Sequence, residues 1–331
     1  MSGRGRHAAP PTKLGRPRGL GARQLALRET GERQAGHGPV ARRSDRGALP
    51  GADLARPQPR LRLGRSAATG LVIIGIMALF CFAGPLFYRP DITHVNLLLS
   101  NRPPGGAHPL GTDADGIDIL GRLMNGGQLS FEVGIAAGVL AAMIGSTWGA
   151  VAGYLGGVVD AVMMRLVDAG IAIPVIVLLL LLTSIYTPSP AVLVLVIAAT
   201  SWLSTARLVR GAALTLRTRD FVQAMRAMGG GRTRAIVRHI APNAFGLITV
   251  NVSFQIADAI VVLATLSYLG LGVQPPASDW GDMIAAGVQS IYSGYWWEIY
   301  PAGMAIIAVV VGFNLLGDGL RDRLHVVGGG R

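Results

Sequence analysis

One lysine and one cysteine are all that this chain of 331 residues holds of either type. The lysine, Lys13, stands in Pro11-Thr12-Lys13-Leu14-Gly15, so the G-x-x-x-x-G-K-[ST] loop that cradles nucleotide phosphates occurs nowhere in the chain. A P-loop ATPase working by itself is thereby excluded. Cys81 lies inside an apolar run, which leaves no intrachain disulfide, no thiolate metal site and no C-x-x-C redox pair. Histidines stand at 7, 37, 94, 108, 239 and 325, no two of them at i, i+3 or i, i+4, so metal ligation has little support. No Ser-His or paired-carboxylate arrangement shares a face, which argues against a membrane hydrolase.

Charge is scarce as well, except at one end. With 51% apolar residues and a mean hydropathy of +0.46, the chain belongs to the polytopic membrane class. A crossing takes about 20 apolar residues, because roughly 30 Å of hydrocarbon is spanned at 1.5 Å per residue. Six stretches meet or approach this, at 67–87, 131–152, 169–186, 191–206, 244–269 and 302–316, and they predict six transmembrane helices in an all-α fold. Placing the N-terminus in the cytoplasm puts 27 of the 30 basic residues inside, with only Arg89, Arg102 and Arg122 outside. That asymmetry follows the positive-inside rule and predicts both termini in the cytoplasm.

Residues 1–65 carry 15 basic and 4 acidic side chains and no aromatic residue. Their composition reads as a disordered, basic cytoplasmic tail drawn to anionic lipid headgroups. The absence of stacking aromatics weighs against a nucleic-acid arm. The expected organisation is this tail, a first span with an external loop at 66–130, a core of five spans at 131–324, and a short cytoplasmic end at 325–331.

Between the fourth and fifth spans lies a basic segment, 219–243, with a legible helical face. Phe221, Ala224, Met225 and Met228 recur at i, i+3, i+4 and i+7, opposite Asp220, Gln223 and Arg226. Gly229 to Gly231 break the pattern before a second basic helix that ends near His239 and Pro242. Ten residues are too few for a lone helix in water, so the stripe is buried against either the lipid interface or a soluble partner. Methionines suit a contact that re-packs during a cycle.

This segment resembles the coupling loop of ABC importer permeases, E-A-A-x-x-x-G, in Gln223-Ala224-Met225-Arg226-Ala227-Met228-Gly229 followed by His239-Ile240-Ala241-Pro242-Asn243. Glutamine replaces the usual glutamate, Met225 the second alanine and Ala241 a leucine. Two further blocks are similar to the second permease subunit of the dipeptide, oligopeptide and nickel branch. They are His108-Pro109-Leu110-Gly111-Thr112-Asp113 with Gly116 to Leu123, and Leu266-Ser267-Tyr268-Leu269-Gly270-Leu271-Gly272-Val273-Gln274-Pro275-Pro276 with Trp280-Gly281. Ile117 stands in place of the usual arginine and Leu263 where an acidic residue is common.

The resemblance implies a type I ABC importer permease fold with a cytoplasmic coupling helix between spans 4 and 5. It implies a homologous second permease, two ABC ATPase subunits and an extracytoplasmic solute-binding protein as partners, with peptide as the commonest cargo and nickel or another small solute as the alternative. No cofactor is then expected on this chain, since ATP and Mg would bind the ATPase subunits. Phe221, Gln223, Ala224, Met225, Arg226, Met228, Gly229, His239 and Pro242 would form the coupling contact, with Ala224 at the contact, Arg226 at the stop and Gly229 at the hinge.

Asn251, Gln255 and Asp258 put polar groups within the fifth span, where they either line a translocation path or hydrogen-bond a neighbouring helix. In the second span Gly134, Gly138, Ala142 and Ser146, and beside them Gly145, Gly149 and Gly153, predict close helix packing, within one subunit or between two. Tyr292, Tyr295, Trp296, Trp297 and Tyr300 read as an interfacial aromatic belt or a stacking site for cargo. Asp160, Arg165 and Asp168 are expected to cap or pair locally. An ion-coupled secondary transporter using Asp258 is the rival class, but no inverted repeat is visible and the basic loop would be left without a role.

Overall fold

The computed structural model describes residues 64–185, 188–219, 228 and 241–328. Among these, eight α-helices and a few short 3-10 turns carry the chain, and the regular pairing of extended backbone is limited to one isolated bridge between Thr112 and Asp118. The helices are α1 (Arg65–Phe87), α2 (Ile119–Leu155), α3 (Gly157–Ala172), α4 (Val175–Ile185), α5 (Pro190–Arg217), α6 (Ala241–Tyr268), α7 (Trp280–Val288) and α8 (Tyr300–Gly328). Five stretches are long and apolar enough to cross a membrane, and six if α3 and α4 count as one broken crossing.

That third crossing differs from the single helix expected over 169–186. Residues 169–172 close α3, and α4 restarts at Val175 after a bend of 83°. Pro174 accounts for the break: it has no N–H to donate and its ring pushes the preceding residue out of the helical region. Ile173 accordingly sits extended at φ −84°, ψ 127°.

Helix α2 extends well beyond the expected 131–152. Its 37 residues reach about 55 Å at 1.5 Å each, and its first turn begins where the Asp118 carboxylate accepts from Gly121 N–H at 2.7 Å. This helix is the spine. It packs along α5 and α6, while α1 lies against α8 and α6 touches α8.

Small residues make those approaches possible. A Cβ on Gly149 would stand 2.3 Å from Ala206 O, one on Gly145 2.5 Å from Trp202 O, and one on Gly153 2.8 Å from Arg210 O, so α5 lies almost backbone to backbone on α2. Gly134 and Gly138 do the same for α6, against Ile260 and Ile256. Both glycine lines therefore serve packing within this subunit. Gly70 repeats the device where α1 crosses α8 at Gly312 and Leu316.

Between these contacts lie two apolar cores. One gathers Phe131, Ile256, Ile260, Trp280, Ala302, Val309 and Phe313 towards α8. The other gathers Val133, Ala137, Leu193, Ile197, Ala259, Leu263 and Leu266 towards α5. Leu263 is 1% exposed in the second core, so at this position the chain offers packing and no anionic contact.

Candidate functional site

Two regions concentrate polar groups among the described residues: a cap at one end of the helices and a cleft at mid-span. In the cap, the two family-like blocks, far apart in sequence, meet around Arg122. Its Nη1 donates to Asp113 at 2.5 Å, and its Nη2 donates to Asp282 at 3.1 Å and to Ser278 Oγ at 3.3 Å. One planar guanidinium thus ties α2 to the 108–118 loop and to α7.

Further bonds close the same cap. Trp280 is fully buried and donates its indole N–H to Leu123 O at 2.9 Å, while Trp297 donates to Thr112 O at 3.3 Å. The aromatic group expected as one belt is divided by this role: Trp297 is buried, whereas Tyr292, Trp296 and Tyr300 are exposed. Asp279 caps α7, accepting from Gly281 and Asp282 N–H, and its other oxygen accepts from Ser267 at 2.5 Å. Burial raises the Asp279 carboxyl above its ordinary value, against the lowering effect of the Ser267 bond and the two backbone donors.

Beside the first span, the buried Asp118 carboxylate also accepts from Tyr88 OH and pairs with His108 Nδ1, each at 2.8 Å. Burial, followed by the Asp118 bond, pushes the Tyr88 phenol up to about 12. At the surface, Asp91 is held low by the backbone N–H of Thr93 and then by His94. A cleft of about 640 Å³ opens here, lined by Ile92, Thr93 and Val95, by Pro275 to Ser278, and by Arg122 and Asn125.

The mid-span cleft is built from the polar face of α6. Asn251 Oδ1 accepts from Thr205 Oγ1 at 2.7 Å, and Gln255 donates to Ser201 O at 2.7 Å and to Thr205 Oγ1 at 2.9 Å. These bonds fix the antiparallel register of α5 and α6. Gln255 and Asp258 then line a cleft of about 590 Å³ together with Ser201, Ser204 and Arg207, closed on one side by Ile171 and Val175 at the α3–α4 bend. Asn251 and Gln255 are thus hydrogen-bonded to a neighbouring helix, Gln255 while also facing the cleft.

Asp258 differs from both. It is exposed to the cleft, and among the described residues no donor reaches its carboxylate. A carboxylate at mid-bilayer costs about 2.5–3.5 kcal/mol unless it faces water or a counter-charge, which sets Asp258 apart from the apolar residues of α6. Arg207, the other charged residue there, is bound to Asp168 at 2.6 Å.

The acidic residues of α3 pair across helices and not locally as expected. Asp168 holds Arg207, and Asp160 holds Arg210 with both oxygens. Nothing in the sequence marks these partners, which lie 39 and 50 residues away. Of the expected coupling residues, Met228 is exposed and Pro242 lies in the first turn of α6. Phe221, Gln223, Ala224, Met225, Arg226, Gly229 and His239 lie outside the described residues.

Comparison with known proteins covers most of this architecture. Residues 145–325 match the family described as binding-protein-dependent transport system inner membrane component. The chain is 38% identical over 265 residues to the oligopeptide transport system permease protein OppC of Bacillus subtilis, covering 80% of this chain and 87% of that protein. It is 33% identical to the dipeptide transport system permease protein DppC of the same organism, covering 80% and 83%. To the probable D,D-dipeptide transport system permease protein DdpC of Escherichia coli it is 38% identical, covering 80% and 88%.

Proposed function

Because the chain belongs to the family of binding-protein-dependent transport inner membrane components, as a permease subunit of an ATP-driven ABC importer, we propose that its cargo is a peptide and its path the α5–α6 cleft. The polar lining of that cleft carries the reading: Ser201, Ser204, Gln255 and Asp258 give a polar surface within the span, where lipid-facing positions would be apolar. The names of the relatives, oligopeptide and dipeptide permeases, support peptide as the cargo.

The finer assembly follows from the same reading. A homologous second permease closes the cleft from its open side, and the 220–240 segment docks into one of two ATPase subunits from the cytoplasm, where both termini also lie. ATP and Mg are held by those subunits and none by this chain. A solute-binding protein delivers cargo to the outer cap. ATP binding and hydrolysis then drive alternating access through the α5–α6 pair, which continues directly into the coupling segment at Arg217.

The test is uncoupling in the reconstituted complex. Gly229→Pro and Arg226→Glu should leave membrane insertion intact and ATP hydrolysis running while peptide uptake stops. Normal uptake by both variants counts against docking at this segment.

A further inference from the structure

We propose that the loop tip at 95–98 is a membrane anchor, which enters the headgroup region of the lipid leaflet at the cap end of the helices and holds the 94–118 loop there. The tip is apolar, and no described residue of this chain covers it. Leu97 is 72% exposed, Leu98 86% and Val95 59%.

A fixed scaffold carries these side chains. Asn96 caps the 3-10 turn Leu97–Leu99, its side-chain oxygen accepting from Leu98 N–H at 3.2 Å. Asn96 N–H donates to Asp115 O and Asn101 N–H to Asp113 O, both at 2.9 Å. Ser100 Oγ donates to Ala114 O at 2.7 Å, and Thr112 Oγ1 donates to Leu99 O. With its backbone already ordered, the tip loses little further entropy when its leucines are covered.

Two contacts set its depth. Thr112, which holds Leu99, also accepts the indole N–H of Trp297 at 3.3 Å. Trp297 stacks edge-on with Trp296 at 6.0 Å between ring centroids, and Trp296 and Tyr300 stand exposed where α8 begins. Exposed tryptophan and tyrosine at the end of a span mark the headgroup level. On the other side, Phe87 at the end of α1 shares a cleft of about 510 Å³ with Tyr88, Asn96 and Leu99. Leu86 and Phe87 continue the exposed apolar face of α1 that runs through Leu79 and Phe82. The tip therefore stands between the lipid-facing ends of two spans. The cleft read as the path is lined by α3, α4, α5 and α6 and by no residue of α1 or α8, so lipid and not a cargo-delivering protein is the neighbour on this side.

Charge supports the same occupant. Arg122 is bound to Asp113 and Asp282. Arg89 and Arg102 are exposed and form no ion pair among the described residues, where their guanidinium groups donate to the carbonyls of Pro85 and Leu98. Arg102 thus lies over the tip itself. Aliphatic side chains with arginines beside them suit the interface, the first reaching the acyl boundary while the second meet lipid phosphates.

The experiment uses the complete importer, without its binding protein, in nanodiscs of phosphatidylethanolamine with phosphatidylglycerol as the minor component. A benzophenone amino acid replaces Leu98, or Phe87 as the lipid-facing reference, and adducts formed on irradiation are identified by mass spectrometry. Lipid adducts at 98 should reach about half the level at 87 or more. In a second measurement, Leu97→Ser with Leu98→Ser should quicken exchange of the amides at 98–100 about tenfold after correction for intrinsic rates. Both leucines are mostly exposed, so a role confined to packing within the chain predicts no change there.

Lipid adducts at 98 below about a tenth of those at 87 would overturn the inference. So would unchanged exchange in the double variant. Adducts on a protein subunit in place of lipid, or on the loaded binding protein once it is added, would assign the tip to a protein partner and overturn it as well.

Discussion

Arg210 grips Asp160 with two parallel hydrogen bonds, Nε to Oδ1 at 2.5 Å and Nη2 to Oδ2 at 2.7 Å, and so ties the C-terminal part of α5 to the first turn of α3. The fork matches the carboxylate plane, the arrangement in which arginine outperforms lysine. Asp160 is buried and Arg210 partly so, which removes part of the screening that weakens surface pairs. Together with Asp168–Arg207 one turn away, the pair sets the position of α3, and with it the bend that walls the cleft.

Asp160→Asn should therefore cost about 2 kcal/mol, the range for hydrogen bonds to charged groups, because Arg210 loses its counter-charge while the side-chain shape is kept. Adding Arg210→Gln should recover more than half of the loss. A double-mutant cycle on thermal unfolding in nanodiscs checks this, and a coupling energy near zero would count against the pair as a structural tie.

Gly149→Ala should be poorly tolerated, although it adds a single carbon. The new Cβ would meet Ala206 O at 2.3 Å and Arg210 N at 2.8 Å, both backbone atoms that move only if α5 moves. Overpacking of this kind costs about 1–3 kcal/mol. Gly211→Ala is the matched control, since nothing lies within 4 Å of its Cβ. Yield of folded protein in membranes and unfolding temperature should fall for Gly149→Ala and hold or rise for Gly211→Ala.

Arg122→Lys tests the cap. A point charge cannot serve Asp113, Asp282 and Ser278 from one plane as the guanidinium does. Amide exchange over 280–288 should quicken about tenfold, while exchange in α5 stays unchanged. Uniform protection in both regions would show that the cap does not rely on this fork.

How much of this was legible in the sequence depends on range. Apolar runs located α1, α2, α5, α6 and α8, because a crossing is a local property of about 20 residues. Their ends were misjudged where protein takes the place of lipid: α2 runs on past the hydrocarbon because Asp118 caps it and Trp280 packs against it. The break in the third crossing had its signal in Ile173-Pro174, outweighed by the apolar residues on both sides. Gln255 and Asp258 stood out as polar groups in an apolar helix. Asp160 with Arg210, and Arg122 with Asp282, carried no such sign, since charged residues near span ends are common and only the packed fold selects which two meet.

The last prediction concerns pH and Asp279. Burial is the largest influence on this carboxyl and raises it from 3.8, while Ser267 and the N–H groups of Asp282 and Gly281 act in the opposite direction. A carboxyl raised in the folded state binds its proton more tightly there than in the unfolded chain, so its contribution is fully present below the unfolded value and is lost as pH rises through the folded one. Protection of the amides at 281–283, corrected for intrinsic exchange rates, should therefore be greater near pH 4 than at neutrality. Asp279→Asn keeps an oxygen to accept from Gly281 and Asp282 N–H and has no proton to lose, so its protection should be flat over the same range. Asp282 is present in both proteins, so the comparison subtracts its contribution. Protection that rises with pH in the wild type would mean that the hydrogen bonds to the charged form outweigh burial.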